Sequence, residues 1–306
     1  MSVWLFEEGL TKDDYRYGDL YRMSNLSQFK ELKETCQSNI KGEKVNTHLV
    51  LAGDSFTEKG RIDSSFFIAE NYNYIRIDEQ SNIKLDTSQF NVLIIEVVER
   101  HFRERFANQW SGLKIVQDLT DEVPELSIFH RLVDMKMPYS TELHESVLFG
   151  YDVMMKVREW KATLNYKLFS RVDKGVKLNK TEEHLLYYLP SKPGISSAFD
   201  AIKNKEIEVL VGTVNKTYNY YKGLGFDKVV LSIIPNKTSL LGKDLGNYNK
   251  LVERIQNNKN LEMPMLDLYS PFTKMGTAAY AKGDTHWSCK GQAIWLELAN
   301  LALNPQ

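Results

Sequence analysis

Three stretches of the chain are apolar almost without interruption: "THLVLAG" (47–53), "NVLIIEVV" (91–98) and "DKVVLSIIP" (227–235). A strand with one face in water alternates polar and apolar residues. A strand that is apolar at consecutive positions is buried on both faces, and in an α/β chain that means a parallel sheet covered by helices. "YNYIRID" (72–78) and "MPMLDLY" (263–269) read as two further strands. Helical patterns lie between them: 24–36 with Ser27 as N-cap, 99–110, 247–258 and 288–303. Strands alternating with helices predict a three-layer α/β/α sandwich with right-handed crossovers. Residues 111–196 fit that alternation less well. They hold helix-like segments around 145–169 and a hairpin-like pair, 170–180 and 183–190. With no linker at either end, they read as an insertion or cap within one domain spanning 1–306.

A net charge of −1 over 306 residues, with acidic and basic side chains interleaved, leaves no footprint for nucleic acid. Two cysteines, Cys36 and Cys289, allow one bridge but no disulfide framework. Neither CxxC nor HExxH occurs, which argues against a structural or protease-type zinc site. No stretch approaches the ~20 apolar residues of a membrane span. The start, "MSVWLFEEGLTKDDYRYGDL", has neither the basic segment nor the apolar core of a signal peptide. At face value the chain is cytoplasmic; a start downstream of a removed anchor gives the same sequence.

Chemistry concentrates in two places. In open α/β sheets, sites lie beyond the carboxyl ends of the strands, and Gly53-Asp54-Ser55 stands there, directly after the first apolar run. A chain of this length meets that tripeptide by chance roughly one time in ten, so alone it is as well explained as a capping turn. The second place is "AKGDTHWSCKGQ" (281–292), between the last strand and the last helix. In an extended segment residues i and i+2 point the same way. Asp284 can therefore accept from one nitrogen of His286 while the other faces Ser55, which is the nucleophile, base and orienter logic of a catalytic triad.

These residues resemble the SGNH (GDSL-type) hydrolase superfamily. The Asp284-Thr285-His286-Trp287 form, with Tyr280 before it and Gly291 after it, is similar to the branch containing the alginate O-acetylation proteins. "IIEVVERHF" (94–102) and "IIPNKTSL" (233–240) resemble strands of that branch, so the likeness covers about 45–110 and 225–303. It implies a flavodoxin-like fold and acyl-ester chemistry on a carbohydrate through an acyl-Ser55 intermediate. It also implies an exported protein anchored upstream of Met1, with an acyl donor, a polysaccharide acceptor and a membrane-bound acyl-transfer partner. O-acetyl transfer, plain esterase activity, and an inactive polysaccharide-binding or assembly role are the three readings, and none requires a metal or organic cofactor.

The chain departs from the superfamily pattern in three ways. No glycine follows "YNYIRID", the Gly-x-Asn-Asp block is replaced by Glu99-Arg100, and the Asp-His pair follows the serine instead of preceding it as in the alginate proteins. The missing blocks normally furnish oxyanion donors, leaving the Ser55 backbone N–H. Arg100 is a candidate for the vacant role; the alternative is an exposed arginine paired with Glu99 or Glu104. Asp54, Trp287, Tyr280, Lys237 and Asn236 lie at the same sheet end as candidate substrate contacts. Trp160, Tyr166, Tyr187 and Tyr188 could line an acceptor groove. Cys289 reads as a small buried side chain at the start of the last helix, and His101, His130, His144 and His184 show no ligand spacing.

Overall fold

The structure, a computed structural model, describes residues 17–38, 40, 42–116, 152–188 and 190–304. Its centre is a parallel four-stranded sheet. Strands β1 (Val45–Gly53), β2 (Ala69–Arg76), β4 (Phe90–Val98) and β8 (Lys228–Ile234) run in the order β2-β1-β4-β8. Consecutive apolar residues do divide between two faces. Val50, Ala52, Leu93, Ile95, Val97, Val229, Leu231 and Ile233 pack on one side, against α2 (Glu99–Arg105), α4 (Asn204–Gly223) and α6 (Leu251–Gln256). Leu49, Leu51, Val92, Ile94, Val98, Val230 and Ile234 pack on the other, against α7 (Tyr269–Met275) and α8 (Cys289–Ala302). The fold is a three-layer α/β/α sandwich.

The expected fifth strand is reduced to one parallel bridge, Leu231 to Met265, with Leu231 N–H donating to the Pro264 carbonyl and Leu266 N–H to that of Leu231. Pro264 has no N–H to extend the ladder. The expected helix over 24–36 is also absent. A short α1 (Asp19–Ser24) precedes a single 3-10 turn, Ser27–Phe29, whose cap position is Leu26 rather than Ser27, and the chain then runs without regular structure. Tertiary attachments hold that path, as the site shows below.

Between β4 and β8, β5 (Leu113–Ile115) pairs in parallel with β3 (Ser81–Ile83). Helix α3 (Asp152–Phe169) follows the span 117–151, which lies outside the described residues and carries His130, His144 and part of the 145–169 reading. The hairpin is present as β6 (Val176–Leu178) against β7 (Leu185–Tyr187). It packs with α1 and α3 into a satellite cluster of Leu20, Leu26, Phe29, Val176 and Leu185, with Ala162 and Tyr166 against it.

Past the last ladder bonds, the strand ends are tied to each other by carboxyl groups. Asp54, after β1, accepts from the Phe56 and Val98 N–H groups, the latter at the end of β4. Glu96, on β4, accepts from the Asp54 N–H and the Thr57 hydroxyl. Glu99 reaches β8's end, accepting from Asn236 N–H at 2.7 Å and Ser239 Oγ at 2.6 Å. The Thr57 and Glu96 groups crowd the end of β1: a Cβ on Gly53 would lie 1.9 Å from Thr57 Oγ1 and 2.9 Å from Glu96 Oε2, so only glycine fits.

Burial raises the Glu99 carboxyl from its ordinary 4.5 to about 7, against the pull of the bonds from Ser239 and Asn236. Between those values the folded protein holds a proton that the unfolded chain has released, so stability falls as pH rises through the window. Glu99→Gln removes this dependence. Denaturant melts of both proteins below 4.5 and above 7 should show their stability difference moving in the variant's favour by about 3 kcal/mol.

Candidate active site

Ser55 sits in the turn after β1, at the point where the neighbouring strands β2 and β4 leave the first strand in opposite directions. Its Oγ lies 2.9 Å from His286 Nε2, and His286 Nδ1 lies 2.5 Å from Asp284 Oδ1. Asp284 Oδ1 also accepts from the His286 backbone N–H at 3.0 Å, closing a tight turn that presents the imidazole. A carboxylate can only accept here, so the imidazole proton is on Nδ1. Nε2 therefore carries the lone pair, and the Ser55 hydroxyl donates to it. Burial works against the Asp284 charge. Even so, the hydrogen bonds from the His286 ring and backbone, with the charge of Lys33, hold the carboxyl well below the usual carboxylate range.

The loop carrying Asp284 and His286 is not a strand, and it is held from three directions. Lys237, at the start of α5 (Lys237–Leu241), donates to the carbonyls of Ala281, Lys282 and Asp284 at 2.6, 2.9 and 3.0 Å. Burial pushes its ammonium down to about 7, opposed by Asp19 and Asp284. Three carbonyl acceptors match the three N–H groups that only the charged form has. From the second side come residues 17–36. Tyr21 N–H donates to the Gly283 carbonyl, and Asp19 accepts from Thr285 N–H at 2.8 Å and Thr285 Oγ1 at 2.5 Å. Lys33 Nζ lies 3.7 Å from Asp284 Oδ2, and Lys282 pairs with Glu31. Gly283 is tightly enclosed, since a Cβ there would lie 2.4 Å from the Phe29 carbonyl oxygen. On the third side a disulfide joins Cys36 to Cys289, three residues past the histidine. Cys289 is thus bonded rather than a free buried thiol.

Several expected contacts turn inward. Lys237 is 3% exposed and braces the loop instead of reaching outward. Asn236 gives its N–H to Glu99. Tyr280 donates to the Pro235 carbonyl at 2.7 Å, and Trp287 packs between Phe56 and Trp295, so both are part of the core. Arg100 does not pair with Glu99 or Glu104. Its guanidinium lies 5.9 Å from the Tyr187 ring, in a small pocket with Thr285 and Phe199 that does not include Ser55. Tyr188 rests against Phe199, Tyr166 joins the satellite cluster, and Trp160 projects outward from α3, 70% exposed.

Open clefts flank the triad. One, about 800 Å³, is lined by Ser55, Asp54, Arg76, His101, Arg105 and residues 192–195. The other, about 1010 Å³, is lined by Asp284, His286, Lys33 and the disulfide. His101 was given no role by its spacing in the sequence, yet it faces the serine's cleft. Its Nδ1 donates to the Gly194 carbonyl at 2.5 Å, so in the neutral ring Nε2 is an acceptor. Burial, then the charge of Arg100, holds the imidazole below its ordinary 6.5. Glu96 is completely buried. Burial and the neighbouring Asp54 charge keep its carboxyl well above the usual range. A carboxyl inside an apolar run is a readable signal for such a group; Asp19 and Lys33 carry none, because their partners are more than 250 residues away.

Asp19, Asp284 and His286 have ligand-type atoms within 4.8 Å of one another, a spacing a cation would fit. Each is already engaged by hydrogen: Asp19 by Thr285, Asp284 by His286, and His286 by Ser55. Together they form a hydrogen-bonded set in which every one of the three already has a partner. Compared with family models, curated proteins and solved structures, the chain matches none.

The disulfide closes a separation of 253 residues and fixes the segment that braces the loop. Removing it by Cys36→Ser with Cys289→Ser should lower stability by about 2–4 kcal/mol. Denaturant melts of the variant against the oxidised parent, both without reductant, measure this.

Proposed function

We propose that the protein performs acyl-ester chemistry through an acyl-Ser55 intermediate, with transfer of an acetyl group to a polysaccharide hydroxyl as its reaction. The observation that carries the reading is the continuous chain Ser55 Oγ, His286 Nε2, His286 Nδ1, Asp284 Oδ1 at the carboxyl end of a parallel sheet. In acylation, Ser55 Oγ attacks the ester carbonyl while His286 Nε2 takes its proton, and Asp284 stabilises the resulting imidazolium. The Ser55 N–H has no acceptor among the described residues and is free to meet the oxyanion. As the tetrahedral intermediate collapses, His286 returns the proton to the departing alkoxide. Deacylation repeats these steps with the acceptor hydroxyl, which gives its proton to His286 and takes the acyl group from Ser55.

Carbohydrate as the acceptor rests on the family resemblance and on the character of the serine's cleft, which is wide and lined by charged side chains such as Arg76, Glu104 and Arg105. His101 lines that cleft, and its Nε2 would accept from a sugar hydroxyl. Water competes at about 55 M, so a transferase depends on positioning its acceptor, and orientation can supply that advantage. The openness of the cleft favours a second reading, an esterase in which water deacylates the enzyme. A disulfide persists in oxidising compartments, which supports a periplasmic or cell-surface location. Among the described residues no helix is long and apolar enough to cross a membrane.

An activated acetyl ester, offered with and without oligosaccharides, tests the reading through acetate and acetylated sugar followed by mass spectrometry. Ser55→Ala should reduce turnover at least about a thousandfold while melting like the parent, and His286→Ala should reduce it as much but also lower stability, since it takes the ring bond from the buried Asp284 carboxylate. Undiminished turnover in Ser55→Ala would refute the acyl-serine route. Acetate as sole product, at a rate indifferent to acceptor, selects the esterase. His101→Phe should raise the KM for the sugar about tenfold and leave acylation of Ser55 unchanged, measured by burst kinetics.

A further inference from the structure

Helix α3 shows its apolar residues to solvent. Val153, Val157, Trp160, Leu164 and Leu168 follow one another at spacings of four, three, four and four, so they form one continuous stripe along the helix. All five are exposed, Val153 by 71% and Leu168 by 64%; Met154 and Phe169, at the two ends of the helix and off the line of the stripe, are exposed as well. These seven account for most of the large exposed apolar side chains among the described residues. The opposite face is the one that packs on the protein. Met155 is buried there, Ala162 and Tyr166 join the satellite cluster, and Glu159 accepts from the Tyr21 hydroxyl and pairs with Lys30 at 2.8 Å.

The charges beside the stripe are of one sign. Lys156 lies three residues after Val153 and four before Trp160. Lys161 lies four after Val157 and three before Leu164, and Lys167 three after Leu164. All three are exposed neighbours of the stripe on the helix surface. Past the last turn, the Arg171 guanidinium stands 5.5 Å from the Phe169 ring. Of the helix's two acidic residues, Glu159 is turned inward to Lys30 and Asp152 sits at the amino end.

We propose that this face of α3 docks on a bilayer surface bearing anionic headgroups. Its apolar stripe seats among the upper acyl chains, with Trp160 at the polar boundary and the lysines reaching lipid phosphates. Apolar stripes bordered by lysine and containing tryptophan suit a helix lying in the plane of the headgroups, where long lysine stems let the ammonium stay in the polar layer. Two other occupants fit less well. Protein interfaces are depleted in lysine, and here lysine borders the stripe along its length. In a symmetric pair of copies the same lysines would face one another across the twofold axis.

Flotation of the purified chain with vesicles tests this. One set is phosphatidylcholine alone, the other phosphatidylcholine mixed with phosphatidylglycerol. The chain should float with the mixed vesicles, less with the neutral ones, and less as salt is raised. Trp160→Glu with Leu164→Glu should reduce the bound fraction at least about tenfold, and reversing Lys156, Lys161 and Lys167 to Glu should remove the preference for the anionic vesicles. Because these side chains are exposed, the variants should melt like the parent. Absence of flotation at any salt would overturn the proposal, as would flotation unaffected by the two Glu substitutions. A parent that elutes as a dimer, does not float, and becomes monomeric in the Trp160→Glu, Leu164→Glu variant would assign the stripe to a second copy of the chain.

Discussion

Where parallel strands stop, their last amides and carbonyls lose ladder partners, and the connecting turns diverge to opposite faces. This molecule closes that gap with carboxyl groups acting across strands, of which Glu96 and Glu99 are buried. Asp54, just after β1, reaches the end of β4, Glu96 returns from β4 to the turn after β1, and Glu99, the first residue of α2, reaches the beginning of α5. At α5, Lys237 takes over with the opposite charge and gathers three carbonyls of the 281–284 segment. The serine's turn, the middle of the sheet and the histidine's loop thereby belong to one bonded system. A buried carboxyl is costly unless hydrogen-bonded. Glu96 and Glu99 each satisfy that with two donors on one oxygen, leaving the second oxygen unpartnered among the described residues.

The histidine's loop obtains its precision from packing rather than from secondary structure. A two-residue Asp-x-His spacing can present both side chains on one side, but a free loop would sample many orientations. Asp19, Tyr21 and Lys33 restrict it from the amino-terminal segment, and the hairpin adds the Leu185 N–H bond to the Lys282 carbonyl. The satellite cluster of Leu20, Leu26, Phe29, Val176 and Leu185 packs that segment onto the hairpin.

The central strands were legible because their apolar residues run without alternation, which only a doubly covered sheet explains. Ser55, Asp284 and His286 were legible as a set because both motifs fall at the same end of that sheet. The helix expected over 24–36 fails for a physical reason: Glu31, Lys33 and Cys36 each have a partner on the loop 282–289, and together these hold an extended path that helical propensity would not give. Lys237 illustrates a different limit. A lysine at a strand's end looks available for substrate, and nothing local tells that three carbonyls from residues more than forty positions away will enclose it. His101 was invisible because its neighbour in the cleft is the Gly194 carbonyl, brought there by the connection between β4 and β8.

The bond between Cys36 and Cys289 also sets an order of events in time. On a ribosome or in a translocon, domains form from the amino end as the chain emerges. Here Cys36 is made 253 residues ahead of Cys289, and the attachments of the segment 17–36 on the loop wait for residues 282–289. Strands β1, β4 and β8 can assemble while that segment is still loose. The histidine reaches its serine only once the loop at 281–289 has followed the sheet strands out. A truncated chain keeps Ser55 and lacks His286, so the bonded set Ser55, His286 and Asp284 cannot form in it.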